Sequence, residues 1–223
     1  MNELLEDYKK RSQIYALLKN LFLKPPSQEF LNYLREFNVS IEHESSPDLV
    51  KGLELLRKDA DCEPEKLTLE HTRLFIGPYR LPAPPYESVY MNAERLVMQQ
   101  PTIEVRKIYL QAGLEVKGIH TNPDDHISAE LEFMEYLCDK TASSLNNRDT
   151  SAAIKHLELQ RIFLEEHLNK WVPVFSEDIL RRTEKDFFRG AAMLLRGFVF
   201  SETERMKHNS GLLNQQVPIL SIT

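Results

Sequence analysis

The chain has 223 residues, of which 42% are hydrophobic and 28% are charged, and its formal net charge is −6 at pH 7. This balance is typical of a soluble globular protein. The acidic composition argues against bulk nucleic-acid binding, which depends on clustered lysine and arginine. No apolar run approaches the roughly 20 residues that a bilayer-spanning helix needs, so we expect no integral membrane association.

The two cysteines, Cys62 and Cys138, match no zinc-binding spacing. A single disulfide would be a sparse constraint for a chain of this size, so we expect reduced thiols and a cytoplasmic protein. The N-terminal run MNELLEDYKKRSQIYALL is acidic and lacks a continuous apolar core. We therefore expect no signal peptide.

Helical periodicity dominates the sequence, and strand-like alternation is nearly absent. Pro25 and Pro26 end the first helix, and Ser27 is a good N-cap for the second. We predict an all-α fold, a single-domain bundle of roughly eight to ten helices in which residues 1–210 form the domain and residues 211–223 a C-terminal tail. The predicted helices lie at about 3–23, after Ser27, from Pro47, from Pro64 to about Phe75, and at about 101–112, 123–144, 150–170 and 176–206.

A Pro-rich central loop interrupts this pattern at GPYRLPAPPYESVY, residues 77–90. Four prolines and a glycine exclude a helix interior here. The loop also carries Tyr79, Leu81, Tyr86 and Tyr90, whereas a plain surface loop is usually more polar. These side chains either form an apolar binding surface or fill the core beneath the loop.

The stretch NPDDHISAELEFMEYL, residues 122–137, crowds charge at the start of a predicted helix. Asn122 is a plausible N-cap and Pro123 fits the first helical position. Carboxylates such as Asp124 and Asp125 in a first turn complement the helix dipole. Helix capping is therefore one interpretation of this stretch.

A metal site is a second interpretation, with His126, Glu130 and Asp125 as ligands, since His126 and Glu130 could meet at i,i+4. The paired Glu-x-x-His helices of di-metal bundles do not recur here. Hydrolase, phosphate-loop and dinucleotide motifs are missing from the sequence. We therefore expect no metal, no cofactor and no enzyme activity.

A third interpretation joins the Pro-rich loop to the charged stretch. The loop would cover an apolar run of a peptide, and the aspartates would accept its Arg or Lys. His126 would make such binding pH-sensitive if it paired with a carboxylate.

Four motifs occur in order along the chain and are joined by a middle segment, PTIEVRKIYLQAGL (101–114). Together they strongly resemble the TorD/DmsD family of cytoplasmic chaperones, the redox-enzyme maturation proteins that serve molybdoenzymes. The resemblance covers about residues 60–175. The motifs are EHTRLFIGP (70–78), PPYESVY (84–90), PDDHISAELEFM (123–134) and FLEEHLNKWVP (163–173).

This resemblance implies an all-α fold and no catalysis. Family members bind the twin-arginine leader of a precursor and hold it until the molybdenum cofactor is inserted. They then release the precursor for export by the twin-arginine translocase. Nitrate-reductase delta-type relatives imply an alternative, an assembly factor that binds the folded or apo catalytic subunit independently of a leader. A homodimer is also compatible, since relatives can exchange helices between chains.

The resemblance also implies the peptide-binding residues. Some relatives carry tryptophan where this chain has Tyr79 and Tyr86, whereas the only tryptophan here is Trp171. Asp124, Asp125 or Glu87 would accept the leader's guanidinium groups. The residues that the resemblance implies are Leu74, Phe75, Gly77, Pro78, Tyr79, Pro84, Pro85, Tyr86, Glu87, Pro123, Asp125 and His126. The chemistry of guanidinium binding adds Asp124 to this predicted set.

Overall fold

The computed structural model describes residues 2–38, 46–78, 80–114 and 122–216, with side chains described as far as residue 207. These residues form helices and no strand, which confirms the predicted all-α fold and helix number. The helices are α1 (Asn2–Leu23), α2 (Gln28–Glu36), α3 (Pro47–Lys58), α4 (Pro64–His71), α5 (Glu87–Met91), α6 (Gln100–Gln111), α7 (Ile127–Asn146), α8 (Thr150–Phe163), α9 (Asn169–Arg182) and α10 (Asp186–Gln216).

Three short segments of different winding interrupt these helices. Asp59–Asp61 is a 3-10 turn after α3. Thr72–Ile76 and Leu164–Leu168 are π-helical and continue α4 and α8 without a break. π segments are frequent at functional sites.

Most predicted helix boundaries hold, because local capping decides them. The Ser27 hydroxyl accepts a hydrogen bond from the Phe30 N–H at 3.2 Å, as expected of an N-cap. Pro47 and Pro64 occupy the first turns of α3 and α4.

The predicted break between residues 170 and 176 is wrong. Pro173 lies inside α9, and the chain leaves the helix only at Thr183, whose backbone is extended. Proline costs a helix one backbone hydrogen bond. Burial of Trp171 and Phe175 on either side of it outweighs that cost, since a large apolar side chain gains about 1.5–3 kcal/mol on burial.

The core lies between pairs of packed helices, α1 on α7, and α10 on both α3 and α9. Helices α3 and α10 approach so closely that a Cβ atom on Gly52 would lie 2.4 Å from the Leu194 backbone nitrogen. Glycine is thus required at this crossing. Aromatic rings fill the centre, where Phe75 contacts Phe22, Phe175 and Phe188 at ring-centroid distances of 5.8–6.1 Å.

A buried polar network joins α1, α8 and α10. The Arg11 guanidinium donates to both carboxylate oxygens of Glu202, at 2.6–2.9 Å, and to the Gln160 side-chain oxygen at 2.7 Å. The Tyr15 hydroxyl donates to the same carboxylate at 2.9 Å. Arg11 and Glu202 are almost completely buried, so each charge depends on the other.

Helix α10 continues to Gln216, past the predicted domain limit at residue 210, and residues 217–223 lie outside the described part of the chain. The tail from residue 211 stays a prediction.

Both cysteines are free thiols, as predicted, and burial raises the pKa of Cys138 to about 12. No helix in the described ranges is long and apolar enough to cross a membrane.

Candidate functional site

A strap, defined as residues 77, 78 and 80–86, follows the first π segment. Gly77 begins it with a φ of 95°, a conformation that favours glycine, and its N–H donates to the Thr72 carbonyl at 2.9 Å. Farther along, the Ala83 N–H donates to the Leu74 carbonyl at 3.3 Å. The strap therefore folds back over the π segment that precedes it.

The strap ends on a lead-in segment, defined as residues 122–126, which precedes α7. Tyr86 and His126 form an isolated antiparallel bridge. The Glu87 N–H donates to the Asp125 carbonyl at 3.0 Å, and the Ile127 N–H donates to the Pro85 carbonyl at 2.9 Å. The two segments that the third interpretation joined are thus hydrogen-bonded to each other.

The lead-in segment is not the first turn of α7, so the predicted helix start at residue 123 and the Asn122 cap are wrong. The N-cap is His126, and the first helical residue is Ile127. Asp124 and Asp125 lie in a turn in which the His126 N–H donates to the Pro123 carbonyl at 3.0 Å. Backbone pairing with the strap holds His126 in an extended conformation, which overrides the local suitability of this stretch for a helix start.

The Asp125 carboxylate ties three segments together. It is completely buried, and its two oxygens accept from the Ser88 N–H and from the Thr102 hydroxyl, both at 2.9 Å. Ser88 lies in the first turn of α5 and Thr102 in the first turn of α6. Asp125 therefore fixes both helix starts against the lead-in segment.

His126 is neutral in this arrangement. Its Nδ1 accepts from the Ser128 N–H at 3.1 Å and lies 2.7 Å from the Ser128 hydroxyl, so we place the ring proton on Nε2. Burial lowers the pKa of His126 to about 4, against a smaller opposing effect of Asp125. His126 therefore contacts Ser128 rather than a carboxylate, so the condition for pH-sensitive binding through such a pair is not met. Because the pKa of His126 is lower in the folded state, the fold loses stability as pH falls from about 6.5 to about 4.

Asp124 has one described cationic partner. Its carboxylate is 1% exposed and accepts from the Arg106 Nε at 2.5 Å, while the Arg106 side chain is 59% exposed. The Asp124 carbonyl also accepts from the Tyr109 hydroxyl at 3.0 Å. Asp124 thus lies at the edge of the buried network, closed off by a side chain from α6.

Glu87 anchors the far end of the strap to the second π segment. Its carboxylate lies 2.9 Å from the His167 Nδ1.

Nearby, the Glu130 carboxyl accepts from the Trp171 Nε1 at 3.0 Å rather than contacting His126. Burial, and then the negative charge of Glu87, raise the pKa of Glu130 well above its usual range. The protonated, neutral form of Glu130 is therefore favoured in the folded protein.

The structure divides the predicted site residues by exposure. Phe75 packs in the aromatic core, which fits the interpretation that it fills the core beneath the loop. The Tyr86 ring lies against His126 and is partly exposed. Tyr79 lies outside the described residues. Pro78 is exposed, Gly77, Pro84, Tyr86 and Pro123 are partly exposed, and Leu74, Phe75, Pro85, Glu87, Asp124, Asp125 and His126 are buried.

Sequence reasoning did not identify Thr102, Arg106 or His167 as members of this site. His167 lies in one of the family-like motifs, which is the one available signal for it. The metal interpretation gains no support, since the described ranges contain no group of three or more His, Cys, Asp or Glu side chains arranged to hold an ion.

Several known proteins are similar to this chain in sequence. The family model described as nitrate reductase delta subunit matches residues 43–177. A chaperone protein TorD from Vibrio cholerae serotype O1 is 30% identical over 210 residues, which cover 89% of this chain and 93% of the relative. The chain belongs to the TorD/DmsD family. A Haemophilus influenzae protein assigned as the Tat proofreading chaperone DmsD is 26% identical over 73% of this chain and 70% of its own length.

The fold of the TorD/DmsD family is also found in a solved structure. A protein from Archaeoglobus fulgidus assigned to redox enzyme maturation superposes with a TM-score of 0.51 and 22% identity, covering 85% of this chain and 91% of that one. The relatives are named as chaperones, not as enzymes. The predictions of a molybdoenzyme maturation chaperone family and of a non-catalytic protein are confirmed.

The raised pKa of Glu130 predicts an alkaline loss of stability. A carboxyl whose pKa is higher in the folded state binds a proton that the unfolded chain releases, so its stabilisation is complete below about pH 4.5 and is lost as pH rises. Replacing Glu130→Gln keeps an acceptor for Trp171 and removes this loss. Relative to the unmodified chain, the variant should gain unfolding free energy between pH 4.5 and pH 8, because only the unmodified chain carries the carboxyl with a raised pKa.

Urea denaturation at the two pH values measures this difference. Glu132→Gln, an exposed carboxylate of the same helix, is the matched control and should show no such gain. An equal pH response of the two variants would mean that Glu130 is ionised in the folded protein.

Proposed function

We propose that the chain binds the twin-arginine leader of a molybdopterin-dependent oxidoreductase precursor in the cytoplasm and holds that precursor for cofactor insertion before export. One observation carries the proposal. The strap and the lead-in segment, both implicated by family resemblance, are hydrogen-bonded into a single surface. The names of the relatives, a TorD chaperone and a Tat proofreading chaperone, support the same class of partner.

The exposed part of this surface suits the apolar run of a leader. Pro78, Pro84, Tyr86 and Pro123 contribute apolar groups on a rigid backbone, and the Ile76 side chain beside them is 59% exposed. Prolines lose little conformational entropy when a peptide docks on them. A flexible apolar segment can therefore bind without further ordering of the chaperone.

The carboxylates have two different roles in this proposal. The Asp125 carboxylate is already bonded to Ser88 and Thr102. The Glu87 carboxylate is already paired with His167. These two carboxylates therefore hold the surface in shape. Among the described residues, the cation that pairs with the Asp124 carboxylate is Arg106, whose side chain is 59% exposed. The direct acceptor for a leader arginine is therefore Asp124.

The expected affinity is modest. Burying on the order of 400 Å² of apolar leader surface gives roughly 10 kcal/mol. Ordering the leader and losing its free motion cost several kcal/mol. The remainder corresponds to a dissociation constant of about 1 μM, which allows later release.

Isothermal titration with a synthetic leader peptide tests the proposal. The peptide contains adjacent arginines followed by an apolar run, and the control peptide carries lysines in their place. We expect about micromolar affinity for the arginine peptide and roughly ten-fold weaker binding of the lysine peptide, since only arginine offers a planar fork to a carboxylate. Binding of neither peptide at about 100 μM would contradict the proposal.

A second candidate function is assembly of a catalytic subunit without use of its leader. The description of the matching family model, nitrate reductase delta subunit, favours this alternative. Affinity capture from the native host grown anaerobically separates the two. Recovery of a precursor with its leader intact supports leader binding, and recovery of only leaderless catalytic subunit supports the assembly factor.

A further inference from the structure

The ion pair between Arg106 and Asp124 has an unusual distribution of exposure. The carboxylate is 1% exposed and the arginine side chain is 59% exposed. Only the Nε of Arg106 contacts the carboxylate, at 2.5 Å, and no other described residue accepts from its guanidinium. A buried carboxylate is thus paired with an exposed arginine, and that arginine makes no other hydrogen bond to the described residues.

The group that closes Asp124 is chemically the same as the group that a twin-arginine leader presents. A guanidinium can offer two parallel N–H donors to a carboxylate, which is the stronger geometry for this pair. Arg106 uses one donor. An incoming arginine approaching from solvent could make the two-donor contact, but only after Arg106 leaves.

The position of Asp124 favours such an exchange. It lies in the lead-in segment next to Asp125, whose carboxylate and carbonyl are held by Ser88, Thr102 and Glu87. Its own carbonyl is held by the Tyr109 hydroxyl. The acceptor therefore stays in place when Arg106 moves, and the partner that moves is the exposed one.

We propose that Arg106 is an internal substitute for a leader arginine, one that occupies Asp124 in the free chaperone and competes with the leader for it. This inference rests on the proposed leader binding. The leader arginine can bind Asp124 only in molecules from which Arg106 has moved away. The observed leader affinity is therefore reduced in proportion to the fraction of such molecules. The competition also makes release easier, because Arg106 returns to Asp124 as the leader departs.

The test uses the full chain and the arginine leader peptide described above. Arg106→Gln removes the competing charge and should tighten leader binding about two- to six-fold, the range expected for loss of an exposed ion pair. Asp124→Asn should weaken binding. Combining both substitutions should give the affinity of Asp124→Asn alone, because the competition acts only through that carboxylate.

Lys107→Gln is the matched control, since Lys107 is exposed on the same helix and carries the same charge. It should change leader affinity less than about two-fold, through long-range electrostatics alone. Equal gains for Arg106→Gln and Lys107→Gln, or a weaker affinity for Arg106→Gln, would overturn the inference. If the unmodified chain binds no leader peptide at all, the proposed function itself fails.

A second measurement needs no substitution. The Nε–H resonance of Arg106 should be observable in the free chaperone, because its hydrogen bond to Asp124 slows exchange with water. Addition of saturating leader peptide should remove or strongly shift this resonance. An unchanged Arg106 resonance at saturation would show that the ion pair persists in the complex and would overturn the inference.

Discussion

Replacing Glu202→Ala is expected to lower the free energy of unfolding by about 3–5 kcal/mol. The substitution leaves the Arg11 guanidinium buried without its counter-charge and removes the acceptor of the Tyr15 hydroxyl. The network joins the N-terminal helix α1 to the C-terminal helix α10, so the loss is shared by distant parts of the chain. Urea denaturation followed by circular dichroism measures the effect.

The buried charge, rather than the missing volume, is the stated cause of this loss. The double substitution Arg11→Met with Glu202→Met removes both charges and fills the space. It should therefore be much less destabilising than Glu202→Ala. A cost below about 1 kcal/mol for Glu202→Ala would mean that water reaches Arg11 in the folded protein.

Replacing Asp125→Ala is expected to release the strap from the lead-in segment and to weaken leader binding while most helices persist. The Ser88 N–H and the Thr102 hydroxyl would both lose their acceptor. Each buried donor left unpaired costs about 1–3 kcal/mol. We expect a total loss of roughly 2–6 kcal/mol in unfolding free energy and a drop in leader affinity on titration.

Asp139→Ala, on an exposed position of α7, is the matched control for Asp125→Ala and should leave both quantities near their original values. Thr102→Val removes one of the two contacts and should give an intermediate stability. Full stability and unchanged leader affinity in Asp125→Ala would show that this carboxylate does not hold the strap.

The fold was largely predictable because its signals are local. Apolar residues at helical spacing predict the bundle, and Ser27, Pro47 and Pro64 mark helix starts that the structure confirms. The errors arise where distant contacts override local preference. Pro173 remains helical because its neighbours are buried in the core, and the α7 start shifts to Ile127 because the strap pairs with the lead-in segment.

The candidate site was predictable only in part. Motif order identified the strap and the lead-in segment. No spacing rule could show that Glu87 meets His167, 80 positions away, or that Arg106 closes Asp124. Burial is equally hidden in the sequence, because a carboxylate such as Asp125 looks suited to solvent until its partners are known.

Photo-crosslinking tests most directly whether the leader binds between the strap and the lead-in segment. A photo-reactive amino acid is placed at Pro78 or Pro123, both on this surface, or at the control position Val50, which is exposed on α3. Illumination with labelled leader peptide should yield adducts from positions 78 and 123 that excess unlabelled peptide abolishes, and none from position 50. A peptide that binds in titration but crosslinks only from position 50, or from none of the three, would contradict the proposed site.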